Sequence, residues 1–115
     1  MPKGKAIKKT SLGLDENLEA LLAYVLGFIT GIVFWIIEKE NNFVKFHAVQ
    51  STITFGALFI IGLILGFIPI IGWILGLILW IIGIILWILG MVKAYNGEYY
   101  KFPVVGDIAE KQVKH

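Results

Sequence analysis

From Thr52 to Val92 the chain carries no charged residue. A straight helix over that run would rise on the order of 60 Å, at ~1.5 Å per residue. That is about twice the ~30 Å hydrocarbon core of a bilayer. The run is too long for one span and suits two. Pro69, between Gly66 and Gly72, marks the fold-back. Proline lacks the N–H that continues a helix and drives the residue before it out of the α region. A helical hairpin follows, with spans near 48–68 and 71–92.

The rest of the composition agrees. Of the 115 residues 58% are hydrophobic and 16% charged, against about 25% charged in soluble domains. The charges gather at the two ends and in one loop. All ten basic residues are lysines, which disfavours the bidentate phosphate recognition for which arginine is used; no nucleic acid partner is expected. Cysteine is absent, so disulfides, thiol catalysis and thiolate metal sites are excluded.

Residues 1–14 read as a basic flexible tail. Asp15 stands where a helix N-cap would, and Glu16 and Glu19 put negative charge in a first turn, where the helix dipole favours it. Residues 18–37 then suffice for a first span. The expected fold is all-α: an integral membrane three-helix bundle over 15–94, with short polar tails and 95–115 as the C-terminal one. Gly27 with Gly31, Gly62 with Gly66 and Gly72 with Gly76 form GxxxG pairs, which allow close helix approach. Gly76, Gly83 and Gly90 recur every seventh residue, as do Trp73, Trp80 and Trp87; a seven-residue repeat keeps nearly one stripe of a helix. Helix packing is expected at Gly27, Gly31, Gly62, Gly66, Gly76, Gly83 and Gly90.

The loop Glu38–Ser51 re-enters as a helix, on which His47, Gln50, Ser51 and Thr54 share one face. A polar face entering the membrane should point into the bundle, so it is the expected interhelical or interaction face. Phe43, Phe46, Trp35, Tyr99 and Tyr100 are expected as interface anchors in aromatic belts. Glu38, Glu40 and His47 do not have the spacing of a metal-ligand set. No nucleophile and acid–base pair come together, and no glycine-rich phosphate loop is present. No cofactor and no enzyme activity are expected.

The segments Gly13–Asn17, Thr30–Phe34, Glu38–Ser51 and Tyr95–Asp107 resemble a family of small prokaryotic membrane proteins described as similar to the chloroplast inner-envelope import component of the Tic class. The resemblance implies a place in a translocation or conducting assembly and supplies no catalytic residue. From the residues themselves, a scaffold or accessory subunit is expected, partnered by the bilayer and by itself or another membrane protein. A lipid- or small-molecule-binding protein is the third reading. Three spans put the N-terminus and Pro69 on one side of the plasma membrane. Four lysines there against six opposite lean towards a cytoplasmic 38–51 loop and C-terminus.

Overall fold

A computed structural model describes residues 9, 10 and 12–113; the remainder of the tail expected over residues 1–14, and Lys114 and His115, lie outside the described residues. Among these the protein has five helices and no strand: α1 (Glu16–Val25), α2 (Phe28–Ile37), α3 (Asn42–Gly66), α4 (Ile71–Tyr95) and α5 (Val105–Val113).

The stretch expected as a first span, 18–37, is two short helices. α1 stops because Gly27 takes φ +62° and ψ −130°, a combination open only to glycine without strain. The chain then reverses. At one end of the pair, Asn41 Nδ2, just past α2, donates to Glu16 Oε1 at the start of α1 (2.9 Å). At the other, Ser51 Oγ donates to Gly27 O (2.9 Å), and Phe28 packs on Phe59 with ring centroids 5.3 Å apart. α1 therefore runs alongside the first half of α3, and α2 returns antiparallel to both.

The reversal lies among apolar side chains, yet its backbone groups are paired. Trp87 Nε1 donates to Tyr24 O (2.7 Å). Thr30 Oγ1 donates to Ala23 O (3.0 Å) and accepts from Leu26 N (3.2 Å). An irregular turn away from water requires this pairing.

α3 begins where Asn41 caps it, its side chain accepting from Val44 N (2.9 Å). α3 ends at Gly66, and α4 returns after Pro69. Ile71 N bonds Pro69 O (2.8 Å), which forces Ile70 to φ 65°. A Cβ on Gly72 would overlap Leu65 O, so glycine sets how tightly this hairpin closes. Asp15 occupies the position before α1, but its carboxylate pairs with Lys9 Nζ (2.6 Å) and does not cap.

The glycines divide by position. A Cβ on Gly31 would lie 2.6 Å from Thr52 Oγ1 and 2.9 Å from Thr52 N, so α2 and α3 touch backbone to backbone there. A Cβ on Gly90 would lie 2.7 Å from the Tyr24 ring. Gly83 meets only Leu58, at 3.4 Å, and Gly62, Gly66 and Gly76 have nothing within 4 Å. Close packing expected at those last three is absent, because α1 and α2 stop short of them.

Burial divides the same way. The buried core, including Tyr24, Phe43, Phe46, Val49, Ala94 and Phe102, gathers at the end of the molecule that holds Asn17, Asn41 and Tyr95. At the opposite end nearly every large apolar residue from Phe59 to Ile82 is exposed, Phe67 to 87%. α4 is apolar enough to cross a membrane, yet only Gly72, Gly90 and Ala94 along it are buried. Water would not tolerate a patch of that extent on a monomer.

Candidate functional site

Three chain segments meet at the well-packed end. α1 brings Tyr24, α3 brings His47 and Gln50, and residues 98–102, led across the end of the bundle by the turn at Asn96 and Gly97, bring their backbone. All three side chains are fully buried. His47 Nε2 lies 2.7 Å from Glu98 O. A carbonyl only accepts, so Nε2 carries the hydrogen. Nδ1 is then an acceptor and takes the Tyr24 hydroxyl hydrogen (2.7 Å). The Tyr24 oxygen accepts from Gln50 Nε2 (2.9 Å), which also donates to Tyr100 O (2.9 Å). Gln50 Oε1 accepts from Phe102 N (2.8 Å). Donors and acceptors run in one direction through the cluster, and none of these side-chain groups is left to face a cleft.

Of the polar face expected at His47, Gln50, Ser51 and Thr54, the first three are spent on Tyr24, the 98–102 segment and the Gly27 turn. The Thr54 hydroxyl is buried without a hydrogen-bond partner. The face lines no path through the molecule.

Phe43 and Phe46 are core residues rather than interface anchors. They stack edge-on against His47, with centroids at 4.8 and 5.1 Å, and both meet Tyr99, at 5.0 and 5.2 Å. The 98–102 segment covers them, which removes them from any lipid boundary. Tyr99 keeps an exposed outer edge, and partial burial, then the Glu16 carboxylate, raises its hydroxyl pKa. Tyr100 sits beneath the Lys93 ammonium, 5.3 Å from the ring centre. Trp35 is half-buried and packs with Ile53 and Val113 on the small core of Phe46, Val49 and Ala109, by which α5 holds to α3. Lys101 holds both Asp107 and Glu110 at 3.1 Å; those partners, Asp107 first, raise its pKa.

Nearby, Glu19 and Glu38 are also fully buried. Thr10 Oγ1 donates to Glu19 Oε1 (2.5 Å), and Glu38 Oε2 accepts from the backbone N–H of Asn41 (3.0 Å). Among the described residues no three histidine, cysteine, aspartate or glutamate side chains converge.

Sequence reasoning passed over Tyr24. A signal was available: it is the only residue with a polar group on its side chain between Glu19 and Thr30, and a tyrosine hydroxyl in an apolar run seeks a partner.

The fold and this end cap describe a small all-helical membrane protein with two long apolar helices and a closed polar cluster. A family model for the magnetosome magnetite crystal formation proteins matches residues 14–109. The chain belongs to that family. It is 59% identical over 103 residues to a UPF0132 membrane protein of Methanocaldococcus jannaschii, covering 90% of this chain and 93% of the relative. A second protein of the same description and organism is 53% identical, covering 91% of this chain and 75% of the relative. One from Archaeoglobus fulgidus is 50% identical, covering 87% and 97%. No solved structure matches. These findings overturn the Tic-class resemblance: the family that matches is a different one, and the translocation role inferred from that resemblance falls with it.

Proposed function

We propose that this chain is a non-enzymatic membrane scaffold. α3 and α4 cross the bilayer, α1 and α2 dip in and return, and one polar end stands at the cytoplasmic face as a docking platform. The carrying observation is the closed cluster. Tyr24, His47 and Gln50 have their hydrogen bonds taken up by one another and by residues 98–102. Such an end is suited to hold a shape rather than to react.

The return of α2 alters the topology expected from three spans. With α1 and α2 antiparallel, the start of α1, the end of α4 and the 38–41 turn share a side. The described lysines Lys9, Lys39, Lys45, Lys93, Lys101 and Lys111 belong to that side, while residues 67–71 at the hairpin tip include no charge. The positive-inside rule then supports a cytoplasmic platform far more strongly than a four-to-six division. The matching family model is described by magnetite crystal formation; the platform reading assigns this chain only the task of holding partners at a membrane.

Photoreactive residues at the exposed positions Glu40 and Tyr99, in native membranes, test the role. A discrete adduct with another protein, or with a second copy, is expected; no adduct at either position refutes the scaffold. Cysteine labelling tests the topology separately. Ile70→Cys should react with an impermeant reagent in intact cells, and Asn42→Cys and Leu12→Cys should not; a labelled Leu12→Cys, at an exposed position, would restore the three-span topology. The reverse pattern would overturn the orientation.

A further inference from the structure

Two carboxyl side chains are buried together at the polar end. Asn41 Nδ2 donates to Glu16 Oε1 (2.9 Å), which lays the 38–41 turn over the start of α1. Glu19 stands three residues beyond Glu16, on the same face of α1, and Glu38 stands three residues before Asn41. Both are fully buried, and the Glu38 carboxylate faces Glu19. Thr10, itself buried, donates from Oγ1 to Glu19 Oε1 (2.5 Å).

The two carboxyls are not equivalent. Glu38 Oε2 accepts from the backbone N–H groups of Glu40 (3.3 Å) and Asn41 (3.0 Å), and such bonds favour the charged form. Glu19 Oε2, by contrast, is buried with no hydrogen-bond partner. Two like charges so close and so far from water are strongly disfavoured. A hydrogen on Glu19 Oε2 removes one of the charges and gives that atom a use. No ion pair among the described residues includes Glu19. Lys9 holds Asp15, and Lys93 on α4 holds Glu98. Glu16 accepts from Asn41 and acts on Tyr99. On α3, His47 is committed to Glu98 O and Tyr24, and Lys45 is half-buried; Lys39, Glu40 and Tyr95 are exposed. Glu19 belongs to neither long helix. Burial pushes its carboxyl up from the ordinary carboxylate range to about 7, with the Thr10 hydrogen bond opposing the rise and Glu38 adding to it.

We propose that Glu19 and Glu38 form a one-proton switch: a hydrogen on Glu19 Oε2 keeps the 38–41 turn against α1, and its loss releases that turn. The turn is the part that gives way. α1 is fixed by Asn17 on Tyr95 O and by Tyr24 in the closed cluster, whereas residues 38–41 lie between helices with Lys39 and Glu40 already exposed. Glu19 keeps its Thr10 hydrogen bond in both states, since only Oε2 loses a hydrogen. The sign follows from the raised acid: the closed turn is favoured at low pH and loses that advantage as pH rises through about 7. The switch rests on these two carboxyls and not on the scaffold role.

The test uses the whole chain in a detergent without carbonyl groups. Infrared spectroscopy reads the carbonyl stretch of a protonated carboxylic acid, and ordinary aspartates and glutamates are ionised by about pH 6. The wild type should keep one such band at that pH and lose it as pH rises. Hydrogen exchange reads the turn: protection of the Glu40 and Asn41 amides, relative to an unfolded peptide, should fall about tenfold per pH unit between about 5 and 7 and level off above. Glu19→Gln carries a hydrogen at every pH, so it should lack the band and keep constant protection. Glu38→Gln still offers an acceptor to the Asn41 N–H but removes the facing charge; its band should persist and vanish at lower pH than in the wild type. No acid band in the wild type at about pH 6, a band retained in Glu19→Gln, or amide protection that ignores pH would overturn the proposal. So would stabilisation of the wild type by calcium or magnesium ions with no acid band, which would give the pair to a metal. The wild-type titration and Glu38→Gln decide the matter even if Glu19→Gln fails to fold.

Discussion

Replacing Tyr24 by phenylalanine removes one oxygen from the middle of the closed cluster and leaves the ring. The ring keeps its contacts with Phe55 and Phe102 and its place against Gly90, so packing is nearly unchanged. What is lost is the donor to His47 Nδ1 and the acceptor for one Gln50 N–H. Both partners stay fully buried. Each unsatisfied group costs about 1–3 kcal/mol, giving a range of roughly 2–6 kcal/mol for two. Hydrogen bonds between membrane helices average only ~0.6 kcal/mol, because the reference state in lipid also finds partners. The cluster lies at the end packed like a soluble core, so the larger scale governs, and we expect a loss of about 3 kcal/mol. Reversible unfolding in mixed micelles, followed by tryptophan fluorescence, measures it. His47→Leu placed in the Tyr24→Phe background should cost about 1 kcal/mol less than it does alone, since the pair is coupled. A loss below ~1 kcal/mol for Tyr24→Phe would mean that water or lipid reaches these groups. The argument from closure would then fail.

Two further substitutions test the backbone contacts. Gly31→Ala puts a methyl group 2.6 Å from Thr52 Oγ1 and 2.9 Å from Thr52 N; overpacking there should cost about 1–3 kcal/mol in the same assay despite the better helix propensity. A gain in stability would show that α2 does not lie against α3. Ile70→Gly should stabilise the chain by about 1 kcal/mol by relieving a β-branched residue held at φ 65°; a loss would contradict the turn.

The α3–α4 hairpin was legible because length, hydropathy and Pro69 all point to it. The break in the first apolar stretch was not. A turn in water announces itself with polar residues, but Val25, Leu26, Gly27 and Phe28 include none. Their backbone groups find Thr30, Ser51 and Trp87 instead, two of which lie on other helices. Gly27 was read as a packing residue because its positive φ has no signature beyond glycine itself. The face of His47, Gln50 and Ser51 followed from helical spacing. Three of its main partners, the backbone at Glu98, Tyr100 and Phe102, could not be read, since a peptide group looks the same at every position. Phe43 and Phe46 were assigned to the interface for the same reason: nothing in their own neighbourhood tells that the chain returns some 50 residues later to cover them.

On the proposed topology, the short α1–α2 pair also sets an order of assembly. Neither α1 nor α2 is long enough to enter a bilayer as a span, and the turn joining them draws side-chain hydrogen bonds from Ser51 and Trp87 beyond it as well as from Thr30 within. Asn17 Nδ2 waits for Tyr95 O, 78 residues later (2.8 Å). The α3–α4 hairpin can insert by itself, and its near half then supplies the surface on which α1 and α2 settle. The first helix to leave the ribosome is thus among the last to reach its native place. Until it does, the Trp87 N–H and the Ser51 hydroxyl have no native acceptor.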